Sequence, residues 1–220
     1  MLEKRKVIFG EYDTAAHGWT LNRCTLSDAK QKTKYVDKSG GDGSWDLSTA
    51  QTEGIARYED RSLTVRLENS EGARDDREEL INHMVNLLDG RTWSVVLPDR
   101  PGYYLTARLH VAVEYNDLAH AAVVVTGVCE PWLCSKQETV IKKTATANVQ
   151  TLTLRNNGRR AVVPQLETTD SVQLKYGAAL IQLSAGVYQW PELLLTPGEH
   201  VLEYSGAGAL TVTYREAVLR

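Results

Sequence analysis

Residues 39–48 read SGGDGSWDLS and crowd two carboxylates and three glycines into ten positions. Hard oxygen ligands in a glycine-rich loop are the chemistry of a calcium or a phosphate site. Counted against a calcium loop, Asp42, Ser44, Asp46 and Glu53 occupy positions 1, 3, 5 and 12. Position 6 must be glycine for the sharp turn, and here it is Leu47; the flanks are strand-like where that motif needs helices. A phosphate cradle needs a glycine loop feeding a helix N-terminus, usually with lysine following, and DGSWDLS supplies neither. The remaining reading is architectural: GGDG tolerates positive φ, and Asp46 bonds neighbouring amides in an Asx-type turn. Trp45 and Leu47 then share one side as the chain enters a strand.

Other reactive residue types are sparse. Cys129 and Cys134 form a single CEPWLC, with no second Cys or His pair to complete a zinc site, and with Cys24 the count is three, not a disulfide framework. Semi-buried thiols beside a turn at Pro131 are the simpler reading. The histidines at 17, 83, 110, 120 and 200 never pair at i, i+4, and neither a nucleophile elbow nor HExxH occurs. No carboxylate pair is singled out for glycoside hydrolysis. The expectation is therefore no enzyme, no metal and no cofactor. VYQWPELLL offers Tyr188 and Trp190 as a possible carbohydrate-stacking pair, or as cover for a sandwich core. A carbohydrate-binding module recognising cell-wall saccharide is the alternative function.

Composition sets wider bounds. The chain has 220 residues, 42% hydrophobic and 24% charged, with a net charge of −3. That suits folded domains and argues against a general nucleic-acid binder, which carries a basic excess. The N-terminus lacks a signal peptide's apolar region, and no segment approaches the ~20 apolar residues of a membrane span. Synthesis in a cytosol is expected.

The elements that must position these residues are mostly strands. RSLTVRLE sets Leu63, Val65 and Leu67 against Thr64, Arg66 and Glu68. YYLTARLHVAV sets Tyr103, Leu105, Ala107, Leu109, Val111 and Val113 against Thr106, Arg108 and His110. TWSVVL alternates likewise, and PDRPG joins it to the following strand as a hairpin. DDREELINHMVNLLDG predicts one helix with Asp75 or Asp76 as N-cap and Glu78 and Glu79 in its first turn. Its stripe runs through Leu80, Ile81, Met84, Val85, Leu87 and Leu88, with Gly90 at the C-cap and His83 opposite. From residue 138 onward, short runs separated by turn signals predict a compact β-sandwich. The expected fold is mainly β with a minor helical part: an N-terminal sandwich or barrel-like domain over residues 1–136, and a second sandwich over 137–220.

The order of these elements resembles the N-terminal domain of phage distal tail (Dit) proteins of long non-contractile-tailed phages. FGEYDTAAHGWTL leads to GGDGSWDLS, then YEDR opening a strand, a helix closing LLDG, the hairpin VVLPDRPGYYLTARLHV, and the exit CEPW. The residues that carry the likeness are Gly43, Asp46, Leu47, Ser48, Tyr58, Arg61, Gly90, Tyr103, Tyr104, Arg108, Pro131 and Trp132. Ala107 departs from it, standing where the family often has glycine, and so does Cys134. The C-terminal region is similar to the family's galectin-like sandwich. The resemblance implies a non-enzymatic structural protein of the virion tail tip, or baseplate, assembled in the host bacterial cytoplasm. It implies a homo-hexameric ring bounded by the tail tube protein above and by a tail-associated lysin, fibre or receptor-binding proteins below and around. DNA would pass through without specific binding, which the negative charge suits, and no membrane is involved.

Overall fold

A computed structural model describes residues 5–52, 54–69, 74–115 and 121–220. The chain divides into two compact units, Met1–Pro131 and Trp132–Arg220. The fold is mainly β, with one helix among the described residues.

The N-terminal unit contains β1 (Ile8–Phe9), β2 (Tyr12–Asp13), β3 (Thr20–Leu26), β4 (Tyr35–Asp37), β5 (Ser44–Asp46), β6 (Arg61–Asn69), α1 (Arg74–Leu88), β7 (Thr92–Val96), β8 (Tyr103–Tyr115) and β9 (Ala121–Cys129). Its main sheet runs β2-β1-β7-β8-β9-β6-β3, and β4 and β5 form a separate two-stranded ribbon. The period-2 readings hold on β6 and β8, whereas over TWSVVL the alternation fails because Val95, Val96 and Leu97 are all buried. On β6, Leu63, Val65 and Leu67 are buried; on β8, Leu105, Ala107, Leu109 and Val111 are buried while Arg108 and His110 face solvent. The expected hairpin is present, with Val95 opposite Leu105 and Thr92 opposite Arg108.

Helix α1 packs on β8 through Ile81, Met84 and Leu88, which are buried, while Leu80, Val85 and Leu87 are half-buried. The expected N-cap is corrected. The helix begins at Arg74, so Asp75 and Asp76 lie inside its first turn. There the unpaired amides and the macrodipole still favour acids, which is why residue type alone misplaces the cap. His83 is exposed, its ring 6.0 Å from that of Tyr12. The helix ends where foreseen: Gly90 adopts φ +71°, a left-handed conformation that glycine takes without Cβ strain.

That terminus is tied closely to β8. Gly90 N donates to Leu109 O at 2.9 Å, and Leu109 N donates to Arg91 O at 2.9 Å. Arg108 Nη1 donates to Gly90 O at 2.8 Å. Asp89 Oδ1 accepts from Val111 N and from His110 Nδ1, each at 2.8 Å.

The C-terminal unit contains β10 (Leu133–Ser135), β11 (Thr139–Thr144), β12 (Gln150–Asn156), β13 (Gln165–Thr168), β14 (Val172–Tyr176), β15 (Ala179–Leu183), β16 (Gly186–Gln189), β17 (Gly198–Gly206), β18 (Ala209–Tyr214) and β19 (Ala217–Val218). Two four-stranded sheets, β11-β18-β13-β16 and β12-β17-β14-β15, face each other, and β10 pairs with β19. Leu152, Leu154, Leu174 and Leu202 from one sheet meet Leu166, Leu210, Val212 and Tyr214 from the other in one buried cluster. Each fully buried leucine contributes about 2 kcal/mol of transfer free energy, so this unit closes a core of its own.

Candidate assembly interface

The edge strand β3 and its neighbour β6 do not stop at the sheet margin. The ladder they share continues as a ribbon: Ser27 N donates to Ser62 O at 2.9 Å, Glu59 N to Lys30 O at 2.9 Å, and Lys32 N to Arg57 O at 2.8 Å. Gln31 bridges Tyr58. Farther out, Leu47 N donates to Lys34 O at 2.8 Å, and β4 pairs with β5 through Tyr35 and Asp46, Val36 and Trp45, Asp37 and Ser44. The tip turns at Lys38–Gly43, with Gly43 at φ +74° and Lys38 N donating to Gly43 O at 3.2 Å. SGGDGSWDLS is thus the tip turn and returning strand of an arm. Asp46 Oδ1 accepts from Ser48 N at 2.9 Å, the Asx-type bond foreseen, and the Ser48 hydrogen bonds hold its carboxyl below the usual carboxylate range.

No described residue between Ser27 and Asp60 is buried. Even so, the arm carries large apolar groups: Tyr35 and Trp45 are each 61% exposed, and Val36 and Leu47 are also open. Val36 and Trp45 sit opposite each other, so they share a side, and Lys38 Nζ lies 5.0 Å above the Trp45 ring. A two-stranded hairpin is only marginally stable alone in water. Such an arm is what one expects of a surface awaiting a partner.

The arm's root is anchored by Arg61, only 7% exposed, whose Nε donates to Ser27 O at 2.7 Å. Burial lowers its pKa, opposed by the nearby Cys129 and Asp28. Beside the arm's middle, Lys32, Lys34 and Arg57 surround a recess of about 240 Å³ with Leu47 and Ser48 in its wall. The arm therefore combines exposed apolar rings with a basic recess.

The other sequence-selected residues separate into different places. Tyr58 is half-buried on the arm's root; Gly90 and Arg108 meet at the end of α1; Pro131 and Trp132 are half-buried at the division between the units. Trp190 is only 5% exposed and belongs to the core of the C-terminal unit, with half-buried Tyr188 packed against that core. Trp190 is therefore part of the core, and only the half-buried Tyr188 of the pair keeps exposed surface.

Cys129 and half-buried Cys24 are free thiols whose pKa values burial pushes up to about 12 and about 11, and Cys134 is in no disulfide. Among the described residues, no three His, Cys, Asp or Glu side chains are grouped to hold a metal. Glu53 and His120 lie outside the described residues. Tyr35, Val36 and Ser27, which shape the arm, were missed because a period-2 count cannot tell a strand in a sheet from one in a free ribbon. The signal available was the run of charged and polar residues from Ser27 to Lys38, too polar for a half-buried strand.

No protein-family model matches the sequence, and no curated protein matches it. A solved structure does match in three dimensions: Dit of phage SPP1, described as a paradigm of hub adsorption apparatus in Gram-positive infecting phages. The chain has the Dit fold. The TM-score is 0.69 at 13% sequence identity, over 96% of this chain and 98% of that one. The likeness therefore spans both units. No described helix is long and apolar enough to cross a membrane.

Proposed function

We propose that this chain is the distal tail hub of a long non-contractile-tailed phage. Six copies form a ring at the tail tip, stacked under the tail tube protein and carrying the lysin, fibre or receptor-binding proteins of the adsorption apparatus. It acts as a virion scaffold and not as an enzyme, and DNA passes through the ring without specific contacts. The arm of residues 27–60 is the observation that carries this reading: it exposes Trp45, Tyr35 and Val36 on a ribbon that has no core. A second copy supplies the missing cover, and the same contact repeated by rotation closes a ring. The match to SPP1 Dit over almost the whole of both chains supports it, as does the net charge of −3, which leaves a channel without a grip on phosphates.

Light scattering and negative-stain microscopy of the purified chain, alone and mixed with its tail tube and tip partners, test the proposal. Hexamer-sized rings are expected in at least one condition, and a joint Val36→Ser and Trp45→Ser change at the arm should abolish them. A strict monomer in every mixture, with no rings, overturns it.

A further inference from the structure

A groove of about 500 Å³ opens in the N-terminal unit, within the size range of small-molecule sites. Its wall is set by one close approach. Gly10, at φ +62°, lies so near Trp93 that a Cβ there would come 2.6 Å from the ring, and Gly10 N donates to Ser94 O at 2.7 Å. Glycine thus lets the indole lie against backbone, with Leu87 also lining the groove. Trp93 Nε1 is buried and has no acceptor among the described residues.

The rim is polar. Glu11, His17 and Ser94 line the groove and are exposed. The His17 ring is held in place, stacked on Tyr12 with centroids 4.1 Å apart, and its Nδ1 lies 2.8 Å from Asp13 O. Since a carbonyl only accepts, Nδ1 carries the hydrogen, and in the neutral ring Nε2 remains as an acceptor.

We propose that this groove binds a neutral pyranose saccharide. A pyranose has an apolar C–H face, which suits the Trp93 and Leu87 side, and a belt of hydroxyls, which suits Glu11, His17 and Ser94. The Glu11 carboxylate accepts hydroxyl hydrogen bonds and repels anionic sugars. The site stands on the geometry of this unit alone and does not depend on ring assembly. It also differs from the pair Tyr188 and Trp190, whose tryptophan is in the core.

Proton–nitrogen NMR of the full chain, titrated separately with galactose, rhamnose, N-acetylglucosamine and glucuronate, tests it through the indole N–H signals. At least one neutral sugar should shift the Trp93 signal with a dissociation constant in roughly the millimolar range. Glu11→Gln should weaken that binding about tenfold, as loss of a charge-assisted hydrogen bond does, and His17→Ala should weaken it too. Both positions are exposed, so unchanged indole signals in the free variants will show that the fold is kept. No Trp93 shift with any neutral sugar overturns the proposal. So do binding that both variants leave unchanged, glucuronate bound more tightly than every neutral sugar, and shifts confined to Trp190.

Discussion

The C-terminal sandwich and the N-terminal arm are both built from short antiparallel strands, yet they are held together in opposite ways. In the sandwich, alternate residues of two sheets meet in one cluster, and strand pairing is a consequence of burying them. In the arm, backbone pairing extends outward from β3 and β6 with no described residue buried along it. The difference teaches that strand pairing and burial are separable. A ribbon can be templated by the sheet from which it emerges while leaving its apolar side chains for another molecule.

The comparison breaks first at the sandwich. Leu174→Ala, at a fully buried position, should cost about 3 kcal/mol through lost transfer energy and a cavity, read as a lowered denaturant midpoint. At the arm's root the expected loss is smaller. Arg61→Ala removes a charged donor from Ser27 O and should cost about 2 kcal/mol, with faster proteolysis between residues 27 and 60 marking the arm as the part released.

At the arm's tip the chain itself should be nearly indifferent. Trp45→Ala should change its stability by less than about 0.5 kcal/mol, as for an exposed side chain, while sharply weakening ring formation. A large fall in monomer stability would mean that the arm is folded by its own contacts, erasing the contrast with the sandwich.

Two milder tests concern the sheet from which the arm grows. Cys129 and Cys24 should resist alkylation in the folded chain at pH 8. With pKa values of about 12 and about 11, the thiolate is about a thousandth or less of the total, against roughly a quarter for a free cysteine. Equal labelling rates in the native and urea-unfolded chain would contradict the burial assigned to them.

Asp89 gives the smallest expected effect. Its pKa is lowered, first by the Val111 amide and then by His110, against a desolvation penalty. A lowered native pKa means that this contribution is present above the unfolded aspartate value, near 3.9, and is lost as pH falls through the native one. Asp89→Asn should therefore lower stability slightly at neutral pH, with the difference from the parent chain shrinking to nothing as pH falls through the native pKa, so that the acid limb of the stability–pH curve is flattened.

Much of this architecture was legible because periodicity is a local property. Leu63, Val65 and Leu67 on β6, and Leu105, Ala107, Leu109 and Val111 on β8, announce their buried face by alternation alone. Gly90 announces the end of α1 because few other residues take φ +71° without strain. The helix start was less legible: acids favour both the cap and the first turn, so Asp75 and Asp76 could not be told apart from a cap by type. Tyr188 and Trp190 show a harder limit, since an aromatic pair in a short strand has the same pattern whether it covers a core or meets a ligand.

Residues 39–48 mark the boundary between the two kinds of information. By itself the sequence showed that GGDG and Asp46 carry turn chemistry and that Leu47 occupies the position a calcium loop reserves for glycine. It also determined the mainly β class and the absence of a recognisable catalytic motif, since turn chemistry and alternation act over a few residues. Only the tertiary structure decided that this turn is the tip of an unburied arm and that Trp190 is core while Trp45 is open. It alone brought Gly10 against Trp93, more than eighty positions away. The physical reason is that exposure depends on what packs from distant parts of the chain, and the local pattern carries no record of it.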